Sequence, residues 1–278
     1  MLNLQIDHVT VAGSDLALLQ RAFAEAGLPT DYGGLHSNGV THMALLGFED
    51  GSYLELISTV KAGAPSPWWP RQIVEDGGPC AWCARVDDLA AECARLSGLG
   101  IPVQGPTSFH RERPDGARVE WDLAFLGTGE RGAVLPFLIQ DRTPRELRVR
   151  PSAGVAATGL TGVAAVVIVV KDLVWTMELF RQVYGWPARE TRPDPALEGT
   201  IVHFKGTPVI LATPSHAASW LTRRLTRFGE SPAAFLLRSR DLAASAKRLP
   251  AREGTWLNRR ALWLDPDRVC GMRLGIIT

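Results

Sequence analysis

Four of the chain's five Asp-Leu dipeptides, Asp15-Leu16, Asp88-Leu89, Asp172-Leu173 and Asp241-Leu242, recur at intervals of 73, 84 and 69 residues, each dividing a short apolar segment from a helical pattern. The segments before it read IDHVTVAG, CAWCARV, GVAAVVIVV and PAAFLLRS, apolar or alternating as half-buried strands are. Those after it, LALLQRAFAEAG, LAAECARLSGLG, LVWTMELFRQVYG and LAASAKRL, space their apolar residues as one helix face, and the first three stop at Gly, an apolar residue and Pro. The Asp is placed to cap the helix, its carboxylate accepting from the free N–H groups of the first turn. After the first helix come a turn at Tyr32-Gly33-Gly34, the strand THMALLG, a turn at Glu49-Asp50-Gly51 and the strand SYLELIS, with room for a short strand ahead of them. The unit is therefore β-α-β-β-β, repeated four times.

Between the second and third units, RTPRELRVRPSAGVAATG is polar, contains Pro and Gly and lacks periodicity, which marks a linker. We expect an N-terminal domain over 1–142, a linker over 143–159 and a C-terminal domain over 160–278, each holding two units. The fold class is α+β, tandem βαβββ modules forming two cupped, barrel-like mixed sheets with helices outside. At 278 residues and 46% hydrophobic content the chain can fill two such cores.

Charge excludes some partners. Thirty basic residues against 29 acidic ones leave no basic surface for nucleic acid. The longest strongly apolar run, Val163–Val170, is eight residues, against roughly 20 for a bilayer-spanning helix. With no secretory pattern at the N-terminus, a cytoplasmic protein that binds no membrane is expected. The four cysteines are then expected to stay reduced. Cys80 and Cys83 form a C-x-x-C, but on a regular strand they would point to opposite faces, and no second pair completes a zinc site.

The pattern resembles the vicinal oxygen chelate superfamily of glyoxalases, bleomycin-resistance proteins, epimerases and extradiol dioxygenases. Within it the N-terminal half, over about residues 3 to 142, is similar to the glyoxalase-like domain family through IDHVTVAGSDL, GGLHSNGVTHMALLGFEDGSYLELI, RPDGARVEW and LPFLIQD. The C-terminal half resembles the superfamily more generically, through VKDLVWTMELFRQVYGWP and LDPDRVCGMRLGII. The resemblance implies that each pair of units cups a cavity, with metal ligands on the first and last strands of each unit. At the first-strand positions, seven residues before each Asp, stand His8, Ala81, Ala165 and Ala234. At the last-strand positions stand Glu55, Phe137, Ile210 and Gly275. Only the first unit keeps imidazole and carboxylate together, so the C-terminal domain is expected to hold no metal and to serve packing, cavity closure or contact in a homodimer.

Alternation puts Glu55 on the face of Tyr53 and Ile57, opposite Leu54 and Leu56. A carboxylate facing a cavity costs several kcal/mol unless a cation or a donor accompanies it. His8 is the expected partner, and His8 and Glu55 are the expected catalytic pair and tentative ligands of a divalent Zn, Mn, Ni or Fe(II). A third ligand is missing from this pair. His36, in a Gly-flanked loop, and His42, at the start of a strand, can supply it or contact substrate. Arg111, Arg113 or Arg118, around the Pro-Asp-Gly turn, can grip an anionic substrate group. Trp121 and Phe137 are read as further substrate contacts, and Trp68-Trp69 as packing or a cap over the ligand. Two functions stay open: a metal-assisted lyase, isomerase or dioxygenase acting on a small oxygenated molecule, and a non-catalytic protein that sequesters such a molecule.

Overall fold

Asp15, Asp88, Asp172 and Asp241 each open a helix in the computed structural model, which describes residues 4–187 and 191–278, whereas the fifth Asp-Leu, Asp122-Leu123, lies within a strand. The first unit comprises β1 (Gln5–Ala12), α1 (Leu16–Glu25), β2 (Asp31–His36), β3 (Thr41–Gly47) and β4 (Tyr53–Thr59). A short helix, α2 (Pro70–Val74), leads to the second: β5 (Gly78–Arg85), α3 (Leu89–Gly98), β6 (Val103–Glu112), β7 (Arg118–Leu126) and β8 (Phe137–Asp141). After α4 (Arg145–Arg148) the third unit follows, with β9 (Leu160–Val169), α5 (Leu173–Tyr184), β10 (Arg192–Asp194), β11 (Gly199–His203) and β12 (Val209–Pro214). Helix α6 (Trp220–Phe228) precedes the last unit: β13 (Ser231–Ser239), α7 (Leu242–Arg248), β14 (Ala251–Trp256), β15 (Arg259–Leu264) and β16 (Arg273–Ile277). Asp15, Asp88, Asp172 and Asp241 all accept first-turn backbone N–H groups. Each such cap stabilises its helix by about 1 kcal/mol.

The first two units close into an eight-stranded barrel, β1-β4-β3-β2-β6-β7-β8-β5. Closure rests on β2, which the sequence reading gives as a turn at Tyr32-Gly33-Gly34. The glycines instead let a strand bend: the β2–β3 register shifts between Tyr32 and Gly34. Gly34 has φ 109°, and a Cβ there would lie 2.7 Å from the Glu112 carbonyl of the neighbouring β6. The last two units form a sheet in the order β10-β11-β12-β9-β13-β16-β15-β14, an open half-barrel whose end strands β10 and β14 do not pair. Its concave face is filled by side chains that include Leu197, Leu221 and Trp256.

The first strand of every unit carries a bulge at the same place. The unpaired residues are Asp7 in β1, Cys80 in β5, Ala164 in β9 and Ala233 in β13, each eight residues before its capping Asp. A bulge lets two consecutive side chains share one face. It therefore corrects the expectation for the C-x-x-C: Cys80 and Cys83 both sit in the inner cluster of the barrel, with Ala81. Burial pushes both thiols well above the usual range, so neither is poised for metal or redox chemistry. The convex faces of both sheets and helices α1, α3, α5 and α7 meet in one apolar layer that runs through the whole molecule. Among the described residues no helix is long and apolar enough to cross a membrane.

Candidate functional site

The barrel interior encloses a cavity. Its wall includes His8, His36, Tyr53, Glu55, Arg111 and Arg148, and is otherwise apolar and largely aromatic. Glu55 enters from β4 beside Thr10 of β1, with Leu54 and Leu56 turned to the outer layer. Thr10 Oγ1 donates to Glu55 Oε2 at 3.2 Å. His8 Nε2 lies 3.7 Å from the same oxygen, and His36 Nε2 lies 3.3 Å from Oε1. One carboxylate thus faces two imidazoles that come from different strands. Burial raises the Glu55 carboxyl, but His36, then His8 and Thr10, outweigh it and hold it below the usual range.

Both rings are fixed through their other nitrogen. His8 Nδ1 bonds to Asp7 Oδ1 at 2.7 Å, and His36 Nδ1 to Thr41 Oγ1 at 2.9 Å. Asp7 is the bulged residue, so its carboxylate lies on the side of the His8 ring next to it in sequence. Tyr53 stacks on the His8 ring at 4.5 Å, and Phe137 packs edge-on at 5.3 Å.

Asp7 is completely buried and is held by the stretch read as a linker. Arg148 donates to both of its oxygens, at 2.9 and 2.8 Å, and Arg145 donates to Oδ2 at 2.6 Å. Both arginines also reach Asp141 at the end of β8, and Arg148 bonds to the Tyr53 hydroxyl at 2.9 Å. Burial works against the ionised Asp7, yet Arg148 and His8 hold its carboxyl well below the usual range. Asp7, Asp141, Arg145 and Arg148 were missed in the sequence reading. The only trace of the two arginines was a run of charged residues in a stretch without periodicity.

Of the other residues expected to serve the site, Arg111, Trp121 and Phe137 line the cavity, as do Trp68 and Trp69. His36 is not in a loop but ends β2, its ring inside. His42 is on β3 between Thr41 and Met43, does not line the cavity, and contacts the exposed Tyr32. Alternation explains the difference, since the inward side chains of β3 are Met43 and Leu45. Arg113 bonds outside the cavity, to Asp115 and the Leu147 carbonyl, and Arg118 is exposed and bonds to Glu120. Arg111 donates to the carbonyls of Gly33 and Arg148, and burial lowers its pKa.

Two donor sets could hold a metal ion. The side chains of Asp7, His8 and Cys83 offer ligand atoms close together. That set does not fit a cation: two guanidinium groups already occupy Asp7, and burial keeps the Cys83 thiol protonated. His8, His36 and Glu55 are the second set, in which each imidazole lies against a different Glu55 oxygen, so that the ligand atoms are spread more widely than in the first. They make a two-imidazole, one-carboxylate set whose rings are oriented by hydrogen bonds at the far nitrogen, as metal-bound histidines are. At the corresponding positions of the second unit stand Ala81 and Phe137, which carry no ligand atom.

The family model for a glyoxalase-like domain matches residues 6–184, from β1 through α5. No curated relative matches the sequence. Among solved structures, a hypothetical protein from Staphylococcus aureus aligns over 99% of both chains with TM-score 0.62 and 14% identity. A mutant of 4-hydroxymandelate synthase from Streptomyces coelicolor aligns over 99% of this chain and 92% of its own, with TM-score 0.65 and 14% identity. At such identities the likeness is one of fold.

Proposed function

Because the chain belongs to the glyoxalase-like domain family, we propose that its barrel binds a small oxygenated molecule and acts on it with the help of a divalent metal held by His8, His36 and Glu55. The observation that carries this reading is one buried carboxylate faced by two imidazoles, each anchored through Nδ1. A metal bound there would polarise a substrate oxygen as a Lewis acid. The chain's own groups do the rest. Asp7 accepts the Nδ1 proton of His8 and so presents the Nε2 lone pair to the cavity. Thr10 keeps one Glu55 oxygen in place, and the ionised carboxylate can accept a proton from a substrate carbon beside it. The aromatic wall limits water around the reacting group.

The test is metal analysis of protein purified without a histidine tag. About one transition-metal ion per chain is expected, retained in His42→Ala and lost in His36→Ala and Glu55→Gln. Metal-free wild-type protein that also takes up no added Zn or Mn would overturn the reading. Phe137 favours a second one, since it brings an apolar ring against His8 where the family resemblance implies a ligand. In that reading the cavity sequesters its ligand unchanged, and ligand recovered intact after incubation with metal-loaded protein would mark it.

A further inference from the structure

Three guanidinium groups line the cavity, and their charges are unequally matched. Arg148 faces Asp7 and Asp141. Arg111, only 4% exposed, gives its hydrogen bonds to two carbonyl oxygens and has no carboxylate within ion-pair distance among the described residues. Arg131 lies over the Phe125 ring with Cζ 4.0 Å from the centroid, and among the described residues its guanidinium has neither a hydrogen-bond acceptor nor a carboxylate. Its backbone is nonetheless pinned. The Arg131 carbonyl accepts from Trp69 Nε1 at 2.8 Å, and the next carbonyl, of Gly132, accepts from Trp82 N at 3.0 Å. Glu55 is the sole carboxylate among the described lining residues, and Thr10, His36 and His8 surround it.

We infer that the ligand is a small aromatic carboxylate, its ring held among the aromatic side chains and its carboxylate on the Arg131 guanidinium. The inference rests on the proposed function only in placing the ligand in the same cavity; it does not depend on the metal. The anionic half follows from charge. Two half- or fully buried guanidinium groups without an ion-pair contact, set against the single carboxylate of Glu55, favour an anion over a neutral or cationic ligand. Arg131 is the one with free donors, and a planar fork matches a planar two-oxygen group. The aromatic half follows from the wall: Trp68, Trp69, Trp121, Phe125 and Phe137 present rings to the cavity, and an aromatic ligand gains stacking and edge contacts that an aliphatic ring of equal size does not. The small size follows from an eight-stranded barrel, whose interior accommodates side chains and one small ligand.

The experiment is isothermal titration of metal-stripped protein with benzoate, benzyl alcohol, benzylamine and cyclohexanecarboxylate. Benzoate is expected to bind more tightly than benzyl alcohol and benzylamine by roughly tenfold, the worth of one charge-assisted contact, and more tightly than cyclohexanecarboxylate by roughly fivefold, the worth of one aromatic contact. Arg131→Leu should weaken benzoate by roughly tenfold while leaving benzyl alcohol unchanged, and Arg131→Lys should restore part of the loss. Benzyl alcohol or benzylamine binding as well as benzoate would overturn the anionic half. Equal binding of cyclohexanecarboxylate would overturn the aromatic half. Failure of all four to bind, or an unchanged benzoate affinity in Arg131→Leu, would overturn the whole. Since no metal is present, these outcomes are separate from the metal analysis: stoichiometric metal without benzoate selectivity leaves the proposed function standing, and the reverse leaves the ligand class standing.

Discussion

Asp7 and Arg148 are buried opposite charges, 0% and 3% exposed. Removing one partner leaves the other charge uncompensated, so Asp7→Asn is expected to lower stability by about 3–5 kcal/mol in urea unfolding. The same pair sets a pH dependence. A carboxyl held below its unfolded value contributes stability that is full above that value and is lost as pH falls toward the native one. The urea midpoint of the wild type should therefore drop between about pH 5 and about pH 3, and that of Asp7→Asn, already lower at the start, should drop less. At this scale His8 and Glu55 were legible in the sequence, because a period of two assigns each a face. Asp7 was not, because period-two counting assigns it the face opposite His8, and only the bulge turns it inward. Arg148 was not legible either: composition does not distinguish a charge in water from one in a barrel with two carboxylates.

Strand β2 decides whether the barrel closes. It meets β6 through a short ladder, Leu35 with Glu112 and His36 with Arg111, so the residues that join the two units also carry the second imidazole. A side chain at Gly34 would meet the Glu112 carbonyl and would require a positive φ. Gly34→Ala is expected to cost about 1–3 kcal/mol and to displace His36. Zinc or manganese affinity should fall in calorimetric titration, while the far-ultraviolet spectrum stays near that of the wild type. Strands β3 and β4 and the capped helices were readable, since their apolar spacing is long and regular. Strand β2 was allowed for in the β-α-β-β-β unit but not located, because Gly33-Gly34 carries the local signal of a turn and only pairing on both sides makes it a strand.

Across the whole molecule, the barrel and the half-barrel share the apolar layer between them, and the segment over 143–159 serves the first as much as it connects to the second. A chain ending at residue 142 would lack Arg145 and Arg148 and leave Asp7 and Asp141 without their cations. A chain ending at residue 159 would restore both, yet its apolar outer face would be left without the second sheet. We expect neither fragment to give a cooperative thermal transition by calorimetry, and the full chain to unfold in one. Arg224 fastens the same seam: it donates to Pro232 and, across the boundary, to the carbonyls of Gly77 and Pro79. Burial lowers its pKa to about 10. The four units were plain from the Asp-Leu repeat, whereas the closed and open forms of the two sheets were not, because closure depends on a few residue pairs far apart in the chain.

The bulge that recurs eight residues before each capping Asp has a consequence for how this architecture can change. In a regular strand, a ring and the group that aims it must be two residues apart or on different strands; here they are neighbours, Asp7 and His8, inherited together as one dipeptide. The other three bulges hold Cys80-Ala81, Ala164-Ala165 and Ala233-Ala234, so the slot exists and two small substitutions would refill it. At the first slot Arg145 and Arg148 neutralise Asp7, and at the second Arg224 lies near Cys80 and donates to the Pro79 carbonyl. The backbone offers the same slot four times over, and a distant strap of chain supplies the cations that let the first copy carry a charge.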